Sequence, residues 1–185
     1  MRAAIFIGIQ ASGKSSFYHK MMEGDRYVQV SMDILHNRNK EEALIRGCIV
    51  EGRNVAVDNT NPTREERKRY LDLFSEAGCP VDGYFFQSIV RDCVERNARR
   101  ERAVPAKAIA ATSNKLEMPS LAEGFAKLYF VKMDTEGGFI IDDWRTEGCN
   151  STTVEANRSL TCLASCNARS VLRSGREQPS RRTSM

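Results

Sequence analysis

Residues 8–15 read GIQASGKS and match the pattern G-x-x-x-x-G-K-S/T, which is typical of a phosphate-binding loop. The apolar run AAIFIGI precedes this loop and the segment SSFYHKMM follows it, which indicates a strand, a loop and a helix in that order. Gly8 and Gly13 would let the backbone wrap around phosphates without a Cβ in the way. The alternative is a glycine-rich turn that only resembles the motif. With a strand and a helix both in place, the segment predicts a nucleotide bound at the helix N-terminus.

The side chains of the loop have separable expected roles. Lys14 is expected to reach the β and γ oxygens of a nucleotide, and Ser15 to bind Mg²⁺. The other loop residues expected to contact the nucleotide are Gly8, Gln10, Ala11, Ser12, Gly13 and Ser16. No N-K-x-D sequence that would read a guanine base is present, so ATP is favoured over GTP. The predicted cofactors are therefore ATP and Mg²⁺.

Strand-like and helix-like segments alternate along the chain. Further short apolar strands are predicted at residues 27–31, 54–58, 81–87 and 127–133, and GGFIIDDW is compatible with an additional edge hairpin. Helices are predicted between these strands, including the charged segment IVRDCVERNARRER and two stretches between Pro105 and Phe125. This alternation is typical of right-handed βαβ units. It predicts an α/β fold with a mainly parallel sheet of about five strands flanked by helices.

Two of the predicted helices carry more detailed signals. In PTREERKRYLDLFSEAG, Pro62 suits the first turn, Asn61 is a candidate N-cap and Gly78 a candidate stop. In NKEEALIRGCIVEGR, the apolar positions expected on one face are Ala43, Leu44, Cys48 and Ile49.

Two aspartates follow predicted strands, at the sheet edge where ligands bind in parallel α/β folds. Asp33, in VSMDIL, is positioned either to orient and deprotonate an acceptor hydroxyl or to cap the next helix. Asp58, in NVAVD, fits the strand-end acid pattern of a second-shell Mg²⁺ ligand. The alternative is local, with Asp58 or Asn59 bonding turn amides before the Pro62 helix. The residues alone leave both choices open.

The positive charge of the chain lies in its C-terminal part. The formal net charge is +4, and residues 149–185 hold six arginines and two glutamates, so the remainder is close to neutral. We expect any contact with a polyanion to come from local clusters. The pattern of strands and helices stops after Trp144, and the following sequence is rich in Ser, Thr and Arg. We therefore predict a folded domain at residues 1–145 and a low-complexity, disordered tail at 146–185.

Six cysteines are present, none in C-x-x-C spacing, and no apolar run is long enough to span a membrane. The start of the chain does not read as a signal peptide. A soluble, cytoplasmic protein with reduced thiols is expected, without a membrane or a stable protein partner. Zinc at Cys162 and Cys166 is an alternative that lacks the further ligands.

Five segments occur in an order that resembles the polynucleotide 5′-hydroxyl kinase domain of the phage polynucleotide kinase and of the animal kinase-phosphatase. They are GIQASGKS, VSMDIL, NVAVDNTNPTREERKRY, VERNARRERAVP and EMPSLAEGF. The resemblance covers about residues 3–131 and is closest to the animal type. DNTNP and PSLAEGF are more specific than the phosphate-binding loop. The resemblance implies a P-loop NTPase-type fold with a helical lid.

The resemblance further implies transfer of the ATP γ-phosphate to the 5′-hydroxyl end of DNA or RNA. Lys14 and Ser15 match the phosphate and Mg²⁺ residues, and Asp33 matches the general base. Asp58 matches the strand-end acid of that active site. Arg96 and Arg100 match lid arginines, which would stabilise charge on the transferred phosphoryl group. The expected catalytic set is thus Lys14, Asp33, Asp58 and Arg100, with Arg96 as a nucleotide ligand.

Some positions depart from that family. Ser31 and Met32 stand where Asn-Arg is frequent, and His36 stands at the phage enzyme's acceptor arginine, with Arg38 nearby as a substitute. No D-x-D-G-T/S phosphatase motif is present. Two alternatives stay open: a kinase acting on a sugar or nucleoside, and an ATP-gated nucleic-acid-binding module.

Overall fold

The computed structural model describes residues 1–144. The strands are β1 (Ala3–Ile7), β2 (Tyr27–Val30), β3 (Asn54–Val57), β4 (Val81–Phe86), β5 (Lys127–Met133) and β6 (Phe139–Asp143). The helices are α1 (Lys14–Phe17), α2 (Met32–Leu35), α3 (Arg38–Val50), α4 (Arg64–Glu76), α5 (Val90–Ala98) and α6 (Ala106–Lys115). A π-helical turn (Tyr18–Met22) extends α1, and a 3-10 turn (Leu121–Glu123) precedes β5.

The six strands form one sheet in the order β2-β3-β1-β4-β5-β6. The first five are parallel, and β6 pairs with β5 in the antiparallel direction. The predicted α/β class and parallel sheet are confirmed, and GGFIIDDW does supply the edge hairpin. The sheet has the P-loop NTPase arrangement, with β1 in the centre and the glycine-rich loop directly after it.

The central strand β1 is buried on both faces of the sheet. Ala3, Ile5 and Ile7 pack on one face, while Ala4 and Phe6 pack on the other. On the Phe6 face, the ring meets Phe17 of α1 and Phe86 of β4 edge to face, with centroids 5.7 and 5.4 Å apart. This packing anchors the loop between β1 and α1 at both ends.

Helix α4 begins later than expected, and Asn61 is not its N-cap. Thr63 caps the helix, with its side chain accepting a hydrogen bond from the Glu66 amide. Asn61 adopts a left-handed conformation at φ 45°, and its Nδ2 donates to the Phe6 carbonyl at 2.7 Å. Pro62 therefore lies before the first turn rather than in it. Gly78, at φ 63°, follows the C-cap Ala77 and ends the helix as predicted.

The buried face of α3 agrees with the expected one at Cys48, Leu44 and Ile49, which are buried or pack against the core, but not at Ala43. Its buried residues are Glu41, Ile45 and Cys48, whereas Ala43 is exposed. A charged residue therefore lies at a core position, and periodicity of apolar residues alone does not find it.

The expectations about membrane spans, metal sites and free thiols can be compared with the structure only for residues 1–144. Within residues 1–144, no helix combines the length and apolar character needed to cross a membrane. The same part of the chain holds no cluster of three or more metal-binding side chains, and Cys48, Cys79 and Cys93 are buried free thiols. The predicted tail at 146–185, with Cys162 and Cys166, lies outside the described residues.

Candidate active site

The predicted site residues are carried by segments that follow neighbouring parallel strands. The phosphate-binding loop follows β1, Asp33 lies in α2 just after β2, and Asp58 directly follows β3. Because β1, β2 and β3 are parallel, their carboxyl ends meet at one edge of the sheet. This is the edge where α/β folds bind ligands.

The backbone of the phosphate-binding loop takes conformations that favour glycine. Gly13 has φ 103°, and a Cβ there would lie 2.9 Å from Met133 Sδ of β5. A Cβ on Gly8 would lie 3.0 Å from Ser12 Oγ and 3.1 Å from Phe86 Cβ. Ala11 is also left-handed, at φ 58°. The loop is thus a tight turn in which side chains larger than hydrogen are excluded at its two glycines.

Long-range hydrogen bonds hold this loop in place. The Gly8 amide donates to the Thr60 carbonyl at 2.9 Å, and the Ile9 amide donates to Ser88 Oγ at 3.2 Å. Arg96 Nε of α5 donates to the Ala11 carbonyl at 2.9 Å. Ser88 was not expected from the sequence. Its position directly after β4 is the signal that would have indicated it, since strand ends meet at this edge.

Gln10 links the loop to α6. Its Nε2 donates to Thr112 Oγ1 at 3.0 Å, while its Oε1 is buried and accepts no hydrogen bond from residues 1–144. A buried acceptor of this kind is one that a nucleotide donor or a water would satisfy.

Lys14 is buried within the loop, and its ammonium group is surrounded by oxygen atoms. Its Nζ donates to the carbonyls of Gly8 at 3.0 Å and Ile9 at 2.7 Å, and lies 3.4 Å from Ser12 Oγ.

Burial lowers the pKa of Lys14 to about 8, and among the charges that oppose this shift Asp58 has the largest effect. Asp33 also raises the pKa of Lys14, whereas Arg100 lowers it.

This lowered pKa predicts that nucleotide binding depends on pH. Below pH 8, Lys14 is already charged in the free protein, and affinity for ATP should vary little with pH. Above pH 8, binding must first protonate the amine, so affinity should fall by up to about tenfold per pH unit. Calorimetry in buffers of different ionisation enthalpy should detect proton uptake on binding between about pH 8 and 9.

Lys14→Arg is the matched control for that measurement, because an arginine stays charged throughout this range. It should show no proton uptake, whatever its affinity. The prediction from the pKa of about 8 would be contradicted if the wild type bound ATP with constant affinity from pH 7.5 to 9.5 and took up no proton on binding.

Asp58 is buried, and its carboxylate does not bond the amides of its own turn. Its Oδ2 accepts a hydrogen bond from Gln29 Nε2 of β2 at 2.8 Å. Its backbone amide donates to the Val30 carbonyl at 2.8 Å, which continues the β2–β3 ladder by one residue. The local-turn alternative is therefore wrong for Asp58, and the acid acts electrostatically on Lys14.

Asp33 is exposed in the first turn of α2, and it is not the helix cap. Ser31 is the N-cap, and its Oγ accepts from the Asp33 amide at 3.3 Å. Within residues 1–144, the Asp33 carboxylate makes no hydrogen bond or ion pair, so it is free to meet a ligand. The effect of Asp33 on the pKa of Lys14 indicates that its carboxylate lies near the phosphate-binding loop.

The two arginines predicted to lie in a lid, Arg96 and Arg100, differ in burial and in their contacts. Arg96 is half-buried and contacts the loop carbonyl described above, whereas Arg100 is exposed beyond the end of α5. Among the described residues, the Arg100 guanidinium makes no ion pair. The buried Asn97 side chain holds the base of this arginine-rich segment through hydrogen bonds with both backbone groups of Val104, at 2.7 and 3.0 Å.

Arg38 and His36 are the two positions that the resemblance connects with acceptor binding, and they have different surroundings. Arg38, suggested as a substitute for an acceptor contact, pairs instead with Glu41 at 2.8 Å and with Tyr70 at 2.7 Å. His36 is the exposed C-cap of α2, in a left-handed conformation. Arg38 is thus held by Glu41 and Tyr70, whereas no hydrogen bond or ion pair within residues 1–144 holds the His36 side chain.

The remaining loop residues fit a bound Mg²⁺–nucleotide. Ser15 is half-buried at the start of α1 and Ser16 is exposed, and neither hydroxyl makes a hydrogen bond within residues 1–144. Mg²⁺ favours oxygen ligands and retains several waters. Ser15 Oγ would bind the ion directly and the Asp58 carboxylate would bind it through water, and the ion would supply positive charge to the phosphate oxygens.

Comparisons with known proteins agree with this description of the fold. A family model described as AAA domain matches residues 38–119, which is less than half of the chain. The bifunctional polynucleotide phosphatase/kinase of Schizosaccharomyces pombe is 27% identical over 129 residues, or 67% of this chain. The chain spans about a third of that relative's length (32%).

Two solved structures share the fold. A gluconokinase from Sinorhizobium meliloti 1021 aligns with TM-score 0.50 and 19% identity, over 71% of this chain and 82% of its own. Chaetomium thermophilum Kti12 in complex with ADP-AlF3 aligns with TM-score 0.53 and 17% identity, over 71% and 89% of the two chains. The fold is thus that of P-loop NTPases, and the proteins similar to this chain include kinases.

Proposed function

We propose that this protein is an ATP-dependent kinase that phosphorylates 5′-hydroxyl ends of DNA or RNA. The observation that supports this most is the charge environment of Lys14. A buried acid (Asp58), an exposed acid (Asp33) and an exposed arginine (Arg100) all act on its pKa. A phosphoryl-transfer site requires groups of these kinds: cations for phosphate and a carboxylate for the acceptor hydroxyl.

Each side chain has a role in the proposed reaction. The acceptor hydroxyl oxygen forms a bond to the γ-phosphorus, the bond from phosphorus to the β–γ bridging oxygen breaks, and ADP leaves. The hydroxyl proton passes to the Asp33 carboxylate. Lys14 and Arg100 stabilise negative charge on the phosphoryl oxygens, while Asp58 keeps Lys14 charged.

The polynucleotide acceptor is supported by sequence similarity to the fission yeast phosphatase/kinase and by the motifs DNTNP and PSLAEGF. The test is transfer of labelled phosphate from ATP to 5′-hydroxyl DNA and RNA oligonucleotides. Lys14→Ala is the control for nucleotide-dependent transfer, and 5′-phosphorylated oligonucleotides are the control for the acceptor position. No transfer at high enzyme concentration would contradict the proposal.

A second candidate is a kinase for a sugar or nucleoside alcohol. The near-neutral charge outside residues 149–185 favours it, because nucleic-acid binding usually rests on several phosphate contacts with basic residues. The shared fold of a gluconokinase is compatible with it. Transfer to a panel of small alcohols, with none to oligonucleotides, would support this candidate over the first.

A further inference from the structure

A polar cluster around the buried Glu41 and Tyr70 lies beside the carboxyl ends of β2 and β3. It consists of Arg38 and Glu41 of α3, Asn59 after β3, and Tyr70 of α4. Glu41 is fully buried, and its Oε1 accepts hydrogen bonds from Asn59 Nδ2 at 2.7 Å and Tyr70 OH at 2.9 Å. Its Oε2 accepts from Arg38 at 2.8 Å. A buried carboxylate with three donors, one of them a cation, is well satisfied.

The cluster leaves only one orientation for the Asn59 amide. Besides Glu41, Nδ2 donates to the Tyr70 hydroxyl at 3.0 Å. Both protons of Nδ2 are thus used, and Glu41 offers acceptors alone. The opposite orientation would place Oδ1 against the Glu41 carboxylate, which is repulsive. Asn59 Oδ1 must therefore face away from the cluster.

In that direction, Asn59 Oδ1 accepts a hydrogen bond from the Met32 amide at 2.9 Å. Met32 is the first residue of α2, a helix of only four residues. So short a helix is not stable by itself and needs tertiary contacts. The next amide, that of Asp33, bonds Ser31 Oγ within the same segment. Asn59 is thus the side chain from another element that fixes the start of α2.

The Asp33 carboxylate makes no hydrogen bond of its own within the described part of the chain, so its position depends on its backbone. We infer that Asn59, oriented by Glu41 and Tyr70, is a positioning residue that holds the Asp33 carboxylate toward the phosphate-binding loop. This inference rests on the proposed kinase function, in which Asp33 is the proton acceptor. Within residues 1–144, the hydrogen bonds of the Asn59 side chain go to Met32, Glu41 and Tyr70 and not to the phosphate-binding loop.

The test combines kinetics with hydrogen exchange on the full-length chain. Asn59→Ala should lower turnover by about 10- to 100-fold, with the KM for ATP within about twofold of wild type. The amides of residues 31–36 should exchange about tenfold faster or more, because the Met32 amide loses its acceptor. Val81→Ala is the matched control for loss of stability. Val81 is buried and is the first residue of β4, at the edge of the sheet opposite to the candidate site. This variant should leave turnover and the exchange of residues 31–36 unchanged.

A double-mutant cycle distinguishes positioning from general damage. If Asn59 acts through Asp33, then Asn59→Ala should cost less than about threefold in an Asp33→Asn background. An equal loss in both backgrounds, or wild-type turnover in Asn59→Ala, would overturn the inference.

If Asn59→Ala does not fold, the Tyr70→Phe variant replaces it, because the loss of the Tyr70 hydroxyl removes one of the two acceptors that orient Asn59 Nδ2. Unchanged turnover and unchanged exchange in Tyr70→Phe would then overturn the inference.

Hydrogen exchange separates this inference from the proposed function, because it needs no acceptor. If the wild type phosphorylates no oligonucleotide, the proposed acceptor is wrong. The role of the contact between Asn59 and α2 is then tested by the amide hydrogen exchange of residues 31–36 alone. If that exchange is the same in Asn59→Ala and wild type, the contact does not hold α2 and the inference is wrong.

Discussion

Asp33→Asn is expected to lower turnover by about 10²-fold or more while ATP still binds. The asparagine keeps the size of the side chain but cannot accept the hydroxyl proton. Helix α2 should be preserved, because its N-cap is Ser31 rather than Asp33. The measurement is steady-state transfer to a 5′-hydroxyl oligonucleotide, together with ATP affinity by calorimetry.

Two comparisons make this result specific to Asp33. Ser31→Ala removes the cap but leaves the carboxylate, so any loss of turnover there should come with faster hydrogen exchange in α2. Asp33→Asn should show unchanged exchange and the larger loss of turnover. Wild-type turnover in Asp33→Asn would remove Asp33 from the proposed reaction.

The largest effect on stability is expected at Arg67. This side chain is fully buried in α4, and its Nε and Nη2 pair with the two Glu123 carboxylate oxygens at 2.7 and 3.0 Å. Its Nη1 also donates to the carbonyls of Asn61, Pro62 and Glu117. Arg67→Met leaves the largely buried Glu123 carboxylate without its closest cation, with Arg64 Nε at 3.8 Å and the Ser120 amide at 3.0 Å as remaining partners, and these carbonyls without that donor. The free energy of unfolding should fall by about 3–5 kcal/mol.

Arg64 provides the matched control, since it belongs to the same helix and also approaches Glu123. Its side chain is 65% exposed, and its Nε lies 3.8 Å from Glu123 Oε1. Arg64→Met should change the free energy of unfolding by no more than about 0.5 kcal/mol, measured by urea denaturation. Equal losses at positions 64 and 67 would show that burial of the pair does not determine its contribution.

The Arg67–Glu123 pair also explains part of the sequence pattern. The segments DNTNP and PSLAEGF carry the most specific part of the family resemblance. In the structure, Arg67 joins the loop that ends at Pro62 to the turn that contains Glu123, while the Glu117 amide donates to the Pro62 carbonyl at 2.8 Å. The two segments support each other and hold the loop after Asp58 in place. Spacing along the chain did not indicate this contact.

Local signals in the sequence predicted most of the secondary structure. Each strand end was found within two residues, because apolar runs and turn formers mark the point where a buried strand stops. The start of α4 was misplaced, because Asn61 forms a hydrogen bond to Phe6, 55 residues away, instead of capping the helix. A cap is a local preference that a long-range bond can override.

The β1-loop-α1 unit, the order of the strands along the chain and the acids after β2 and β3 are all predictable from the sequence alone. Apolar periodicity, glycine conformation and strand ends are properties of neighbouring residues, so a linear sequence records them. The tertiary contacts were needed to exclude the capping alternative for Asp33 and the local-turn alternative for Asp58. It showed that Ser31 rather than Asp33 caps α2, that Gln29 bonds Asp58, and that Asn59 holds Met32. Each of these choices depends on which polar groups become neighbours when strands far apart in sequence pair, and on burial, which makes an unsatisfied partner costly.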